Sequence, residues 1–416
     1  MKILVVGKGG REHALITALS ESPTETDIYS FPGSDAIFEL AKPADASGLP
    51  TLIEFMKSEA IDLCVASEES YLVRDEGLAN ACATAGIPCW GPPKESAQLE
   101  ASKEFAKEFL MRHQIPTGGY AAVETIEEAR QAIGGQYPTV LKFDGLAAGK
   151  GVAVCPDEAA AEAFLGEVLG ERKFGPGRLL VEEFLEGPEI SIFASVVDDQ
   201  YQILLPARDY KRIYDSDEGP NTGGMGAVSS LEIFSGDLRD VIEKEIVAPT
   251  IAGLVADGLP YRGFLYFGLM LTADGPKVIE YNCRFGDPEA QAVLPMISGD
   301  FASYVARGAQ GNLDQNLISF SAGWSVCLVS ASAGYPASSR SGDLISGLEE
   351  IEGARVFHAG TARGEVGYET AGGRVLAVVA EGATRAEAVA RVYRESDKIA
   401  FDGMQRRTDI GVRNFD

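Results

Sequence analysis

Val278-Ile279-Glu280-Tyr281-Asn282-Cys283-Arg284-Phe285-Gly286-Asp287-Pro288-Glu289 is the stretch on which the fold turns. Its first half reads as a β-strand. It follows the β-rich run Phe264–Thr272 across Ala273-Asp274-Gly275-Pro276, and Asp-Gly between such runs signals a hairpin. Side chains alternate along a strand, so Glu280 and Asn282 project from one face. A carboxylate beside an amide oxygen is a hard donor pair suited to Mg2+. Pointed into a sheet interior, the pair would be costly unless something satisfied it. Arg284, at the strand exit, carries a planar fork that pairs bidentately with carboxylate or phosphate.

Other segments carry the complementary chemistry. Lys142-Phe143-Asp144-Gly145-Leu146-Ala147-Ala148-Gly149-Lys150-Gly151 is a strand, a glycine-rich loop and the start of another strand. Three residues separate Gly145 from Gly149 and Gly151 follows Lys150, which excludes a Walker A loop. The segment reads instead as a hairpin lid whose amides close over phosphates, with Lys142 reaching in from its strand. Glu182-Glu183-Phe184-Leu185 sits at the end of the predicted strand Leu179–Leu185. Its backbone can pair with an adenine edge, and Glu189 beyond it suits ribose hydroxyls. Lys211-Arg212 precedes Gly219-Pro220-Asn221-Thr222-Gly223-Gly224-Met225-Gly226, a cationic pair beside amide-rich backbone. Gly7-Lys8-Gly9-Gly10-Arg11-Glu12-His13 follows the first apolar run and opens a helix, a geometry that receives phosphate. Glu12 stands where a dinucleotide fingerprint needs glycine, so the loop favours a phosphorylated small molecule over NAD. Together these pieces spell phosphoryl transfer from ATP, a chemistry of positioning and charge neutralisation. No Ser-His-Asp or Cys-His arrangement competes with it.

The 416 residues suit two to four domains, and 45% apolar with 24% charged residues describe a chain able to bury a core. Strands and helices alternate through residues 1–100, predicting a parallel α/β domain. Ser102–His113 has the spacing of an amphipathic helix. Paired strands then follow at Thr139–Asp144, Gly151–Cys155, Ile190–Val197 and Gln202–Ala207. The expected plan is an N-terminal parallel α/β domain (1–100), an α+β centre (101–316) with a lid at about 118–188, and a small strand-rich C-terminal domain (317–416).

Lys and Arg number 36 against 62 Asp and Glu, a net charge of −26 that argues against a nucleic-acid or membrane partner. No run approaches a membrane span, and the N-terminal apolar run is too short for a secretory signal. Six cysteines without a C-x-x-C pair read as small core residues in a reducing cytosol, with no zinc site expected. Arg11, Lys103, Lys142, Lys150, Lys211, Arg212 and Arg284 all fall in or beside the phosphate-handling segments. A local reversal of charge sign is therefore expected at the site.

The sequence resembles the ATP-grasp ligases, and among them the phosphoribosylamine–glycine ligases. GKGGREHAL, QLEASKEFAKEFL, KFDGLAAGKGV, EEFLEG, GPNTGGMGA, YRGFLYFGLM, VIEYNCRFGDPEAQ, FHAGT and GGRVLAV carry the likeness nearly end to end. The resemblance implies an ATP-grasp centre and a cytoplasmic enzyme, monomeric or weakly dimeric. Its substrates would be ATP, glycine and 5-phosphoribosylamine, its products glycinamide ribonucleotide, ADP and phosphate, and its cation Mg2+ or Mn2+. Carried over by residue, Lys103, Lys142, Gly149, Lys150, Gly151, Lys211 and Asn221 would meet ATP on its phosphate side. Glu182, Glu183, Phe184 and Leu185 would hold adenine and Glu189 the ribose. Glu280 and Asn282 would bind the metal. Gly9, Gly10, Arg11, Glu12, Arg284, Gly286, Asp287 and Pro288 would receive the other substrates, with Arg284, Lys142 and Asn221 as catalytic residues. Three departures stand out. Ser67-Glu68-Glu69-Ser70-Tyr71-Leu72 replaces the family's Gly-Pro-Glu-x-Pro-Leu, Arg208-Asp209-Tyr210-Lys211-Arg212 replaces Gln-Asp-His-Lys-Arg, and Tyr266–Thr272 lacks the carboxylate that many other ATP-grasp enzymes place there. A related ligase with another substrate and a non-catalytic ATP-sensing module are the rival readings.

Overall fold

The run Ile3–Val6 has no polar side, as a strand covered on both faces requires, and all four side chains are fully buried. The strands β1 (Lys2–Gly7), β2 (Asp27–Pro32), β3 (Lys42–Pro43), β4 (Leu63–Ala66) and β5 (Cys89–Trp90) form one parallel sheet in the order β3-β2-β1-β4-β5. The order reverses between β1 and β4, and open parallel sheets take ligands in the crevice at such a point. The loops leaving those two strands, Gly7–Gly10 and Ser67–Glu69, lie there. The computed structural model describes residues 1–147, 151–234 and 236–412.

The segment expected to form the lid holds a four-stranded antiparallel sheet in the order Tyr120–Val123, Leu179–Glu183, Thr139–Phe143, Val152–Cys155, with helices Ile126–Ile133 and Glu158–Leu165. Period-2 alternation divides its residues. Leu141, Phe143, Leu179 and Val181 face the helices and build a core of the lid's own. Lys142 and Glu182 take the opposite face. The predicted strand Leu179–Leu185 ends at Glu183, because its partners run out: Glu183 is paired with Thr139, the first residue of the neighbouring strand.

The long strands Glu189–Val197, Arg262–Thr272 and Gly275–Asn282 lie in a nine-stranded sheet, the last two as the expected hairpin. The predicted strand Gln202–Ala207 is broken. Gln200–Ile203 folds back on Glu189–Val197, and Ala207–Asp209 pairs with that strand elsewhere. Pro206, which lacks an N–H, sits in the interruption. Gly226–Ser229 pairs with Trp324–Ala331, so the sheet continues into the C-terminal segment through Arg374–Gly382 and Arg355–His358.

The N-terminal and C-terminal segments meet through two histidines. The His358 backbone N–H donates to His13 Nδ1 at 3.1 Å, and the two rings lie 5.7 Å apart. His358 Nδ1 is 3.0 Å from the Thr361 hydroxyl. Burial pulls both imidazoles down from the usual 6.5 to about 4. The unfolded chain therefore takes up protons first as pH falls through 6.5, and these groups remove stability between about pH 6.5 and 4. His13→Gln keeps an acceptor for the His358 N–H without the titration. The urea midpoint of the wild type is expected to fall more steeply from pH 7 to pH 4.5 than that of His13→Gln. Equal slopes would contradict this account.

Candidate active site

A cleft of about 660 Å³ lies between the lid sheet, the Gly275–Asn282 strand and the switch point of the N-terminal sheet. Its size suits a nucleotide-sized ligand. Glu280 and Asn282 both line it, as the alternation requires. Opposite them the ladder slips: Gly268 pairs with Glu280 but Leu269 with Val278, leaving Ile279 as a bulge. Bulges re-aim neighbouring side chains, and here the freed Ile279 carbonyl accepts from Lys142 Nζ at 3.1 Å. A Cβ on Gly268 would stand 3.0 Å from Glu280 Cγ, so glycine leaves the carboxylate its space.

Glu280 is recessed, which opposes its charge, yet Lys211, Lys142 and Lys103 outweigh that effect and hold the carboxyl below its usual range. The Asn282 amide is satisfied when its NH2 donates to the Tyr281 carbonyl (3.2 Å) and Glu100 Oε1 (3.0 Å). Its oxygen is then the acceptor left for the cleft. One ionised carboxylate and one amide oxygen fit a hard divalent cation that completes its shell with phosphate and water.

Two networks position the cations. On the lid face, Glu182 Oε2 accepts from Lys107 (3.0 Å) and Lys142 (3.1 Å), all three side chains being nearly inaccessible to solvent. Lys103 reaches across to the Gly145 carbonyl at 2.9 Å, and its backbone N–H donates to Asp144 at 2.6 Å. Lys211 pairs with Glu189. At the switch point, Arg284 bridges Glu100 (2.6 Å) and Glu69 (3.1 Å), while Arg11 pairs with Glu12 (2.6 Å). Glu69 is held down at about 2, because Arg284 and Arg11 overcome its burial. Burial instead pushes Glu100 up to about 7, against the pull of Arg284. Glu12 also accepts from Ser67 (2.7 Å) and the Gly9 N–H (2.7 Å), folding back over the loop so that a Cβ on Gly7 would collide with it. That is why glutamate, not glycine, occupies position 12.

Most of the residues expected at the site line this one cleft. Lys103, Lys142, Gly151, Glu182, Glu183, Phe184, Leu185, Glu189, Lys211 and Asn221 are there, as are Arg11, Arg284, Gly286 and Asp287. Gly9, Gly10, Glu12 and Pro288 are outside its lining, behind Arg11 and Asp287. Gly149 and Lys150 lie outside the described residues. Lys107, Glu100, Asp209 and Arg374 were not anticipated. Lys107 follows Lys103 by one helical turn, a visible signal. Arg374 reaches from the C-terminal segment to the Gly223 carbonyl (2.6 Å) and Asp287 (3.3 Å), which only the assembled sheet brings about. Asp209 is raised by burial and by Glu289, and its Oδ1 has no partner. The expected reversal of sign is corrected: among the described residues, nine cationic and ten acidic side chains line the cleft, a balance where the whole chain is strongly acidic. Arg11, Lys107, Lys142, Lys211, Arg284 and Arg374 are each paired with a carboxylate, which offsets their charge.

The whole chain also matches known proteins. Residues 1–100, 101–290 and 325–413 match the N domain, the ATP-grasp (A) domain and the C domain of phosphoribosylglycinamide synthetase. The phosphoribosylamine–glycine ligase of Caldanaerobacter subterraneus is 41% identical over 99% of this chain and 100% of its own. The chain belongs to the phosphoribosylamine–glycine ligase family. The relative from Allochromatium vinosum is 44% identical, over 99% of this chain and 98% of its own. The crystal structure of the Thermotoga maritima ligase superposes with a TM-score of 0.86 at 35% identity, covering 99% of this chain and 100% of that one. A biotin carboxylase domain from Hydrogenobacter thermophilus, solved with MgADP, shares the fold alone (TM-score 0.73, 19% identity, 97% and 91% covered). The family uses ATP and a divalent metal.

Within the family, this chain's departures now have physical readings. Tyr210, at the usual histidine position, turns away from the cleft that Asp209 and Lys211 line. It is 4% exposed, its hydroxyl accepts from the Gly411 N–H at 3.1 Å, and the Arg407 guanidinium lies 5.1 Å from its ring. In the altered 67–72 segment, the retained Glu69 is the residue that grips Arg284. Tyr210→His is therefore expected to change kcat/KM for every substrate by less than about twofold while lowering the thermal midpoint, since it disturbs packing and not the site. A change of tenfold or more in any kcat/KM would contradict the assignment.

Proposed function

We propose that the chain joins glycine to 5-phosphoribosylamine with ATP as co-substrate, giving glycinamide ribonucleotide, ADP and phosphate. The observation that carries this reading is the convergence of Lys103, Lys142 and Lys211 on the ionised Glu280 beside Asn282, in the same cleft as Arg284. Phe184 and Leu185, where strand pairing has ended, offer backbone to adenine, and Glu189 reaches for ribose. Glu280 and Asn282 would hold Mg2+ or Mn2+, which when bound neutralises phosphate charge. Lys142, Lys103 and Lys211 draw charge from the γ-phosphoryl group as a glycine carboxylate oxygen attacks phosphorus and ADP departs. Asn221 lines the phosphate side, and Arg284 with the Gly286–Asp287 turn orients glycine and phosphoribosylamine. The amine then attacks the carbonyl carbon of glycyl phosphate, and phosphate leaves. The lid at about 118–188, with a core of its own, is the unit that closes over this water-sensitive intermediate.

The domains are read as 1–100, 101–316 and 317–416. A cytoplasmic enzyme, monomeric or weakly dimeric and without nucleic-acid or membrane partners, agrees with the −26 net charge. No helix among the described residues is long and apolar enough to cross a membrane.

ADP release, with phosphoribosylamine formed in situ from ribose 5-phosphate and ammonia, tests the reaction. Release is expected to require both glycine and phosphoribosylamine, with alanine at least about 10-fold poorer than glycine. Glycine-independent release, or equal use of alanine, would contradict the proposed substrates.

A further inference from the structure

The N-terminal sheet brings together three of the cysteines that the sequence reading scatters through the core. Cys64 on β4 and Cys89 on β5 are register partners on adjacent parallel strands, so their side chains leave the same face. Cys82 descends onto that face from the helix Leu78–Ala85, which packs on both strands. The left-handed Gly86 turns the chain between Cys82 and Cys89. The three Sγ atoms all lie within 4.8 Å of one another. Cys64 and Cys82 are fully buried, and Cys89, on the edge strand, is half-buried and gives the group an opening. None of the three lines the ATP cleft.

We propose that Cys64, Cys82 and Cys89 form a trigonal site for a soft monovalent cation, Cu(I). A trigonal site with metal–sulfur bonds of about 2.3 Å holds its sulfurs roughly 4 Å apart, close to the spacing already present. Thiolate sulfur selects soft cations over the hard Mg2+ of the cleft. Zinc favours a fourth ligand, and among the described residues the group contains no histidine or carboxylate. Three-coordinate Cu(I) needs none. Each thiol that binds as thiolate releases its proton to solvent, and no oxidant or reductant is consumed.

The test is an anaerobic titration of the reduced, full-length protein with Cu(I) in competition with bathocuproine disulfonate. One equivalent is expected to be withheld from the chelator, with X-ray absorption showing three sulfurs at about 2.3 Å. Cys89→Ala, at the half-buried edge, is expected to weaken retention at least about 100-fold, more than loss of an outer-shell partner would. Cys82→Ser provides a second variant, and circular dichroism checks the fold of each. Cys327→Ala, a buried cysteine in the other sheet, is expected to retain Cu(I) as the wild type does. Failure to withhold Cu(I), undiminished retention in Cys89→Ala or Cys82→Ser, or displacement of Cu(I) by equimolar Zn2+ would overturn the proposal.

Discussion

Glu280 is a recessed carboxylate whose burial pushes its pKa up while Lys211, Lys142 and Lys103 pull it down further, so it sits below its usual range. Each lysine comes from a different part of the chain: Lys103 from the helix that enters the central segment, Lys142 from the lid, Lys211 from the loop after Ala207–Asp209. Desolvation works toward the neutral acid, which lacks the charge that makes a carboxylate a hard donor for a divalent cation. The proposed metal position, the proposed phosphate position and the placement of the lid would thus be one electrostatic arrangement. Lys142 secures it mechanically as well, since the same ammonium is shared by Glu182 on the lid and the Ile279 carbonyl on the central sheet. Moving the lid away would cost the Ile279 contact and the pairing of Glu182 with Lys107, while Glu182 would travel with Lys142.

That arrangement also governs the overall sign of the cleft. An acidic protein that binds a polyanion could gather bare cations, but buried unpaired cations are costly. Here most come paired with carboxylates, which leaves the cleft, among the described residues, balanced rather than positive. Binding ATP must then exchange partners. Lys211 has Glu189, and Lys142 has Glu182, as holders that keep each ammonium in place until phosphate oxygens compete for it. A divalent cation supplies the net positive charge that the protein itself does not.

Local chemistry was legible in the sequence, and long-range chemistry was not. Glu280 and Asn282 could be placed on one face because strand alternation needs no tertiary information, and the Asp-Gly turn announced their hairpin. The Ile279 bulge was invisible, because it depends on how Gly268 is paired. Glu182 read as an adenine-side residue from its position after a strand. Its burial between Lys107 and Lys142 appears only once the lid sheet packs on the entering helix. The strand end at Glu183 reflects the length of its neighbour, and the break before Ala207 reflects one proline. Arg374 and Asp209 reach the site through a sheet that continues from the centre into the C-terminal segment. Tyr210 stands at the family's histidine position, and its burial against Gly411 and Arg407, away from the cleft, could be seen only in the fold.

The central claim is that this cation cluster delivers a glycine carboxylate oxygen to the γ-phosphorus of ATP. Turnover of glycine labelled with oxygen-18 in both carboxylate positions tests it most directly. If glycyl phosphate forms and its carbonyl carbon is then attacked by the amine, each phosphate released carries one labelled oxygen, read by mass or phosphorus-31 NMR. Unlabelled phosphate would contradict the account.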